Sequence, residues 1–564
     1  MITPSCLAYG RRALFGALLL LSSGLAAVAW GAACPAPVAA GVEHWPDEAA
    51  WRALQADGYR IGAVNIVVDN VFDLSDPAQK KLWYARLADR LHIKTHPSAI
   101  REQLLFKPGD PVDTRVIYES VRRLHQLVYL RAARIIPESC AGKQVTARVA
   151  VKDAWTLKLD FRFSHVGGQN TTQFNVSDVD FLGSGKKLTV GHTENPQRSG
   201  NQILYQDPSL FGSFWQLGAG YQDLSDGHLK SLSVGLPFYE DTTPWSLQTT
   251  FYDQKENLNF YNQGALAWVA PSRIHERAVS WAHLLDWSDT SGTRAGVFYT
   301  STDYEYSAPA PEFSSVLPEP VLTPRLLKGA GLSFEFFQDR YADFTNLEYI
   351  DRPEDYNLGW VVDAQTGHYG GGFGGSVSAP FYGLSASWGT ELPARTLFLA
   401  SGYVDGREQD GTTRNLLTNF TLTAYSQEFH WQTLVAHLQW DSVLRPDPES
   451  YLYIGGLQGL RGYPNYFAIG DRRWQATLAD RIVTPWQLWS LFQVGFVGYA
   501  DWAQIHQISP SAWSPTYSDV GAGLRFGFIR SAFSNTLYFT VAWPLHGGPG
   551  VHGHEIVIGN TLNF

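Results

Sequence analysis

The chain has 564 residues, with 43 Lys or Arg against 53 Asp or Glu and a formal net charge of −10. It contains no basic run or stripe that could track a phosphate backbone, which excludes a nucleic-acid-binding reading. With 52 Gly, 20 Trp, 27 Tyr, 31 Phe and one Met, the composition suits many short aromatic-rich strands better than helices.

Residues 1–33 read as a signal peptide. Arg11-Arg12 supplies a charged start, and ALFGALLLL at 13–21 opens an apolar core too short for a membrane anchor. Ala27-Val28-Ala29 is a small-x-small cleavage site. Gly31-Ala32-Ala33-Cys34 is a second candidate, of lipoprotein type, with glycine in place of the usual leucine. Elsewhere no run reaches the roughly 18–20 consecutive apolar residues of a membrane helix. Past its leader the chain is therefore either soluble or a barrel. Cys6 leaves with the leader; Cys34 and Cys140 then either form a disulfide in an oxidising compartment or remain two buried thiols.

Residues 34–57 read as a linker and 58–153 as a small α/β domain. YRIGAVNIVV at 59–68 is a β-branched strand. Ser75-Asp76-Pro77 opens a helix carrying Leu82, Tyr84, Leu87 and Leu91 at helical spacing. A short helix follows at 97–105, then the turn Phe106–Pro111, FKPGDP. Asp113 or Thr114 caps an amphipathic helix with Val116, Ile117, Val121, Leu124 and Val128 on one face. Strands 130–136 and 144–151 close the unit. This order, with KPGDP before the last helix, resembles a POTRA domain in which 69–94 is a helical insertion. The resemblance implies a periplasmic module whose edge strand, 59–68 or 130–136, recruits an extended client by strand addition.

From residue 154 to 564 the chain breaks into segments of membrane-strand length. In 433–440, Leu434, Ala436, Leu438 and Trp440 oppose Thr433, His437 and Gln439. In 535–543, Leu537, Phe539, Val541 and Trp543 oppose Thr536, Tyr538 and Thr540. One face of each belongs in lipid and the other in a polar lumen. The fold class is thus mainly β: a C-terminal transmembrane antiparallel barrel behind a small N-terminal α/β domain.

Between the strand-like runs 428–440 and 472–484 lies Gly455–Arg473, GGLQGLRGYPNYFAIGDRR, part of a connection too long for an ordinary hairpin. Gly462, after Arg461, suits a tight turn that points the guanidinium one way. Leu460-Arg461-Gly462-Tyr463 resembles the (V/L/I)-R-G-(F/Y) loop of the outer-membrane assembly and translocation superfamily, of BamA, TamA and two-partner-secretion types. DFLGSG at 180–185 and QDPSLFG at 206–212 resemble its early barrel turns. VGYADWA at 497–503 resembles its late F-x-D-x-G strand, with Ala503 in place of the glycine.

The resemblance implies a loop folded into the lumen with Arg461 paired to Asp501; Asp480 competes for Arg461, and Arg525 for Asp501. It also favours sixteen strands, eleven before the loop and five after, although up to fifteen segments before the loop, for twenty, can be drawn. The C-terminus IVIGNTLNF resembles an outer-membrane β-signal through Ile558, Leu562 and Phe564. Gly167-Gly168 and Gly559-Asn560 flank the expected seam between strands 155–165 and 555–564 and predict weak pairing there.

His546, His552, His554 and Glu555 lie in a Gly-rich stretch and read as a solvated loop rather than a metal site. There is no G-x-S-x-G elbow, P-loop or HExxH. The expectation is a non-enzymatic outer-membrane barrel without cofactor. Its partners would be outer-membrane lipid or lipopolysaccharide and unfolded polypeptides. The other reading is a pore or surface structural protein that handles no client.

Overall fold

The computed structural model describes residues 34, 47–71, 90, 92–240, 242–288, 290–311, 317–350, 353–489, 492–528 and 536–559. The signal peptide, the helix expected to start at Asp76, and Asn560, Leu562 and Phe564 lie outside the described residues, save Arg90 and residues 92–94 at the far end of the 69–94 insertion. The chain divides into two compact units: Met1–Asn65 with Lys107–Thr114 and Ile135–Arg148, and Ile66–Phe106 with Arg115–Arg134 and Val149–Phe564.

A three-stranded sheet runs through both stretches of sequence, in the order Arg60–Asp69, Gln144–Asp153, Leu130–Ala141. In the first unit the segment read as a linker holds a helix, Glu48–Ala56. It forms because Trp51 and Leu54, three residues apart, share one face and are fully buried. Trp51 Nε1 donates to the Ile135 carbonyl at 2.8 Å. Cys34 and Cys140 are joined as a disulfide, with Cα atoms 5.1 Å apart. The KPGDP turn closes through Lys107 N–H on Asp110 Oδ2 at 2.9 Å, with Gly109 at φ 98°. In helix Thr114–Gln126 the buried apolar face is Ile117, Val121 and Leu124. Val128 falls past its end and is exposed, so it is not part of that face.

The second unit contains a closed antiparallel barrel of twenty long strands among the described residues. Each pairs with the next along the chain, and the last, Glu555–Gly559, meets the first, Leu157–Val166. Fifteen strands precede the Gly455–Arg473 segment and five follow it. The favoured count of sixteen is therefore wrong. The extra segments are wall strands that pair continuously with their neighbours, not hairpins within loops. The longest before the Gly455–Arg473 segment are Ala265–Ser288, of 24 residues, and Trp245–Asn262, of 18.

The wall is inside-out compared with a soluble protein. On strand Gln432–Leu444, Leu434, Leu438 and Trp440 are exposed while Thr433 and Asp441 are buried. On strand Leu157–Val166, Leu157, Leu159 and Phe161 are exposed. The buried side includes Arg481, Asp501, Asp519 and Arg525. Apolar side chains outside and polar ones inside are what a hydrocarbon solvent selects. Among the described residues no helix is long and apolar enough to cross a membrane.

This arrangement makes a direct prediction. Leu438→Arg, on the outer face, should cost about 2–4 kcal/mol near the bilayer midplane. Gln439→Arg, on the inner face of the same strand, should cost much less. Urea unfolding in lipid vesicles measures both; equal costs would mean that the wall does not face lipid.

Candidate functional site

The loop between Ile454 and Ala468 turns inward through backbone that only glycine adopts without strain. Gly455 has φ 148° and Gly459 φ 93°. Leu460 N–H closes on Gly455 O at 2.9 Å, and Tyr463 N–H on Leu460 O at 3.1 Å. Leu460, Arg461 and Tyr463 are all buried. Leu460, Tyr463 and Phe467 pack with Ile454, Ala503 and Ile505 on the inner wall.

Arg461 and Asp501 are brought together fork to fork. Nε donates to Oδ2 at 2.7 Å and Nη2 to Oδ1 at 2.6 Å. Neither side chain exposes more than 3% of its surface. Thr477 Oγ1 adds a donor to Asp501 Oδ1 at 2.8 Å. The guanidinium lies 3.4 Å from the ring centre of Tyr499, a cation–π contact in a site without bulk water. Two planar hydrogen bonds to one carboxylate fix orientation as well as charge.

Gly462 sits in the turn that Tyr463 N–H closes on Leu460 O, as expected of it. Its φ is not positive, and the need is space: a Cβ there would stand 2.8 Å from Asp519 Cβ and 3.0 Å from Pro544 N. Its N–H donates to Asp519 Oδ2 at 3.0 Å. The Tyr463 hydroxyl lies 3.1 Å from Ser518 O and 3.2 Å from His546 O. Asn465 Nδ2 reaches Val166 O at 2.8 Å, at the end of the first barrel strand. Gly167, at φ 58°, leaves room for it, since a Cβ would stand 2.4 Å from Asn465 N. One loop thus touches the late strands and the first strand, on both sides of the seam. Asp519, Thr477, Tyr499 and Asn465 were missed by sequence reasoning. Asp519 carries a weak signal, as a lone acid entering the alternating run Tyr517–Phe528.

The two competing groups stand elsewhere. Asp480 is two residues on from the exposed Leu478, on the outer face, and accepts from Gln432 Nε2 at 2.9 Å. Arg525 is fully buried and donates from Nη2 to Glu348 O at 2.9 Å. His552 and His554 are exposed, and among the described residues no His, Cys, Asp and Glu group is arranged to hold a metal. At the seam, Ile558 pairs with His165, the single register pair between first and last strands among the described residues. The same last strand makes five pairs with Thr536–Pro544.

A second inward segment comes from the opposite end of the barrel. Between strands Arg325–Gln338 and Val361–Tyr369, a hairpin of Tyr341–Thr345 and Pro353–Asn357 carries buried Phe344, Leu347 and Ile350. Glu354 holds its turn by accepting the N–H groups of Leu347 at 2.9 Å and Tyr349 at 3.2 Å. Glu348 accepts from Tyr425 Oη at 2.6 Å and Arg481 Nη1 at 3.2 Å. Gln427 Nε2 donates to Thr345 O at 2.6 Å and Thr433 Oγ1 to Asn346 O at 2.9 Å.

The two early turns form a third constellation, at the end where the first strand begins. Asp180 of DFLGSG accepts from Thr95 Oγ1 at 2.7 Å, and Asp153 accepts from Thr95 N–H at 3.0 Å and pairs with His92 at 2.9 Å. Ser209 of QDPSLFG donates to Glu102 at 2.8 Å. Burial pushes the Asp180 carboxyl above its ordinary value, while the bonds from Thr95 and Gly185 pull it back.

Removing one member of a buried ion pair strands the other. Arg461→Ala and Asp501→Ala should each cost about 3–5 kcal/mol, read as protease sensitivity of the loop and a lowered melting temperature. The double variant should cost less than the sum, with a coupling of about 0.5–3 kcal/mol. Additive losses would mean that Arg461 is held by something other than Asp501.

No family model matches the chain, and no curated protein matches it. Among solved structures, the chain is similar to BamA from Haemophilus ducreyi lacking POTRA domains 1–3, at 13% identity over 89% of this chain and 84% of that one, with a TM-score of 0.42. It is similar to CdiB from Acinetobacter baumannii, at 12% identity over 89% and 74% of the two chains, with a TM-score of 0.42. It is also similar to CdiB from Escherichia coli, at 11% identity over 88% and 76%, with a TM-score of 0.41.

Proposed function

We propose that this chain is an outer-membrane member of the POTRA-plus-barrel assembly and translocation superfamily. In this reading it captures an extended outer-membrane or secreted polypeptide and passes it to the barrel. The observation that carries the reading is the Leu460-Arg461-Gly462-Tyr463 loop docked on the lumenal wall by the bidentate Arg461–Asp501 pair. That motif in that place is what the superfamily resemblance implies.

Further features support it. The order of strands and helices over Arg60–Asp153, with the KPGDP turn, suits a periplasmic POTRA domain. Its outer strands offer backbone N–H and C=O groups to a client by strand addition. The apolar outer wall suits outer-membrane lipid as the surrounding solvent. The leader directs export, and no step of the proposed activity makes or breaks a covalent bond, so the chain acts without enzymatic chemistry. A barrel that passes a strand sideways must open where its ladder is weakest, which in this reading is the seam at His165 and Ile558.

Depletion followed by whole-envelope proteomics tests the activity. Loss of other barrels, or of one secreted protein, is the expected result. An unchanged envelope would overturn it and leave a pore or surface structural protein. The route is tested by His165→Cys with Ile558→Cys, which places two thiols at the seam pair. Oxidation should abolish client handling while the heat-shifted gel band of the barrel persists. Full activity with the seam locked would remove sideways passage.

A further inference from the structure

The seat of the hairpin within residues 341–357 is built into the barrel wall. Arg481 and Arg525 stand on strands Ala468–Leu488 and Tyr517–Phe528, on either side of Phe492–Ile508. Between them the wall is hollowed. A Cβ on Gly495 would stand 3.3 Å from Ile350 Cδ1, and a Cβ on Gly527 would stand 2.5 Å from Ile350 Cβ. Glycine inside a strand weakens it and marks close approach by another group. Here that group is the side chain of Ile350.

What the wall recognises on the hairpin is mostly backbone. Thr345, Asn346, Leu347 and Glu348 each give a carbonyl to a wall side chain: Gln427, Thr433, Arg481 and Arg525 in turn. Among the described residues, the hairpin carboxylate that pairs with a wall cation is Glu348, on Arg481, with the Tyr425 hydroxyl donating beside it. Ile350, two positions on, fills the hollow. Backbone carbonyls are common to any segment that can adopt this bend, with Asn346 at φ 64°, so the selective elements reduce to one carboxylate and one large apolar residue. Arg525 is fully buried in the seat, with the Tyr538 ring beside its guanidinium.

We propose that this lumenal wall is a binding site for a bent polypeptide segment with a carboxylate and a large apolar residue two positions later, and that residues 341–357 are its resident, exchangeable occupant. The proposal rests on the reading of the chain as a barrel that handles polypeptides, and names the chemistry such a client would present inside it. The hairpin holds the seat in the absence of a client, and a client must displace it.

The test uses full-length protein in detergent with residues 341–357 replaced by a Gly-Ser linker of equal length. A second variant, Glu348→Ala, keeps the hairpin and removes its charged anchor. The probe is a fluorescein-labelled peptide with the sequence of residues 341–357, read by anisotropy. It should bind the linker variant at least tenfold more tightly than the unaltered protein, with Glu348→Ala between the two. Glu348→Gln in the probe should weaken binding tenfold or more. Equal binding of a scrambled peptide, or none to either variant while both keep the heat-shifted band of a folded barrel, would overturn the proposal. Loss of that shift in the unaltered protein would overturn the barrel reading itself.

Discussion

The lumen of a membrane barrel is lined with polar side chains, and this sets the terms for everything held inside it. A segment folded into such a space cannot rely on apolar burial alone, because most of the wall it meets is hydrophilic. The Arg461–Asp501 pair is the answer found here. Removing both charges from water is expensive, and their attraction offsets that only with good geometry and with the remaining lone pairs satisfied. Both conditions are met: two short parallel hydrogen bonds, Thr477 on the carboxylate, and the Tyr499 ring beneath the guanidinium. Asp519 takes the next backbone N–H, and Asn465 carries the loop to the first strand.

The second inward segment repeats this logic with different parts. Glu348 presents the acid and the wall presents Arg481, so the charges are exchanged between loop and wall. Around each ion pair the wall turns apolar. Val435, Ala479, Val497, Tyr499, Tyr538 and Val557 face inward and are buried, in one cluster with Phe344 and Leu347. These patches are the places where inserted segments land, and strand glycines at 495 and 527 deepen them.

Much of this was legible in the sequence because strands write a period-two code. The last five strands follow from alternation, while the inward loop and Asp501 as its acid are what the resemblance of LRGY and VGYADWA to the superfamily's motifs implies. The strand count did not follow, because the family pattern of eleven strands before the loop was preferred over fifteen alternating segments. The hairpin within 341–357 was invisible for a related reason. Leu347, Glu348 and Ile350 sit at a turn, where neither period applies, and their burial depends on a wall more than a hundred residues further along the chain. Helix Glu48–Ala56 was read as linker because Trp51 and Leu54, its large apolar residues, give little signal until Ile135 supplies the partner. Gly462 was legible as a turn glycine, but the groups that need it small, Asp519 and Pro544, were not, because they lie far along the chain.

The strand lengths carry one more consequence. A strand of 24 residues is about 80 Å long, and at a tilt near 40° it rises about 60 Å, roughly twice the hydrocarbon thickness of a bilayer. Ala265–Ser288 and its neighbours therefore stand as a parapet above the lipid, while Leu157–Val166 and Gln169–Asp178, of 10 residues each, form a low sill. Strands of about 9–11 residues just span the hydrocarbon, so nothing of the sill stands clear of the lipid. A surface polymer or neighbouring protein would meet the parapet first, which leaves the side of the barrel that closes on itself as its most sheltered approach from within the membrane plane.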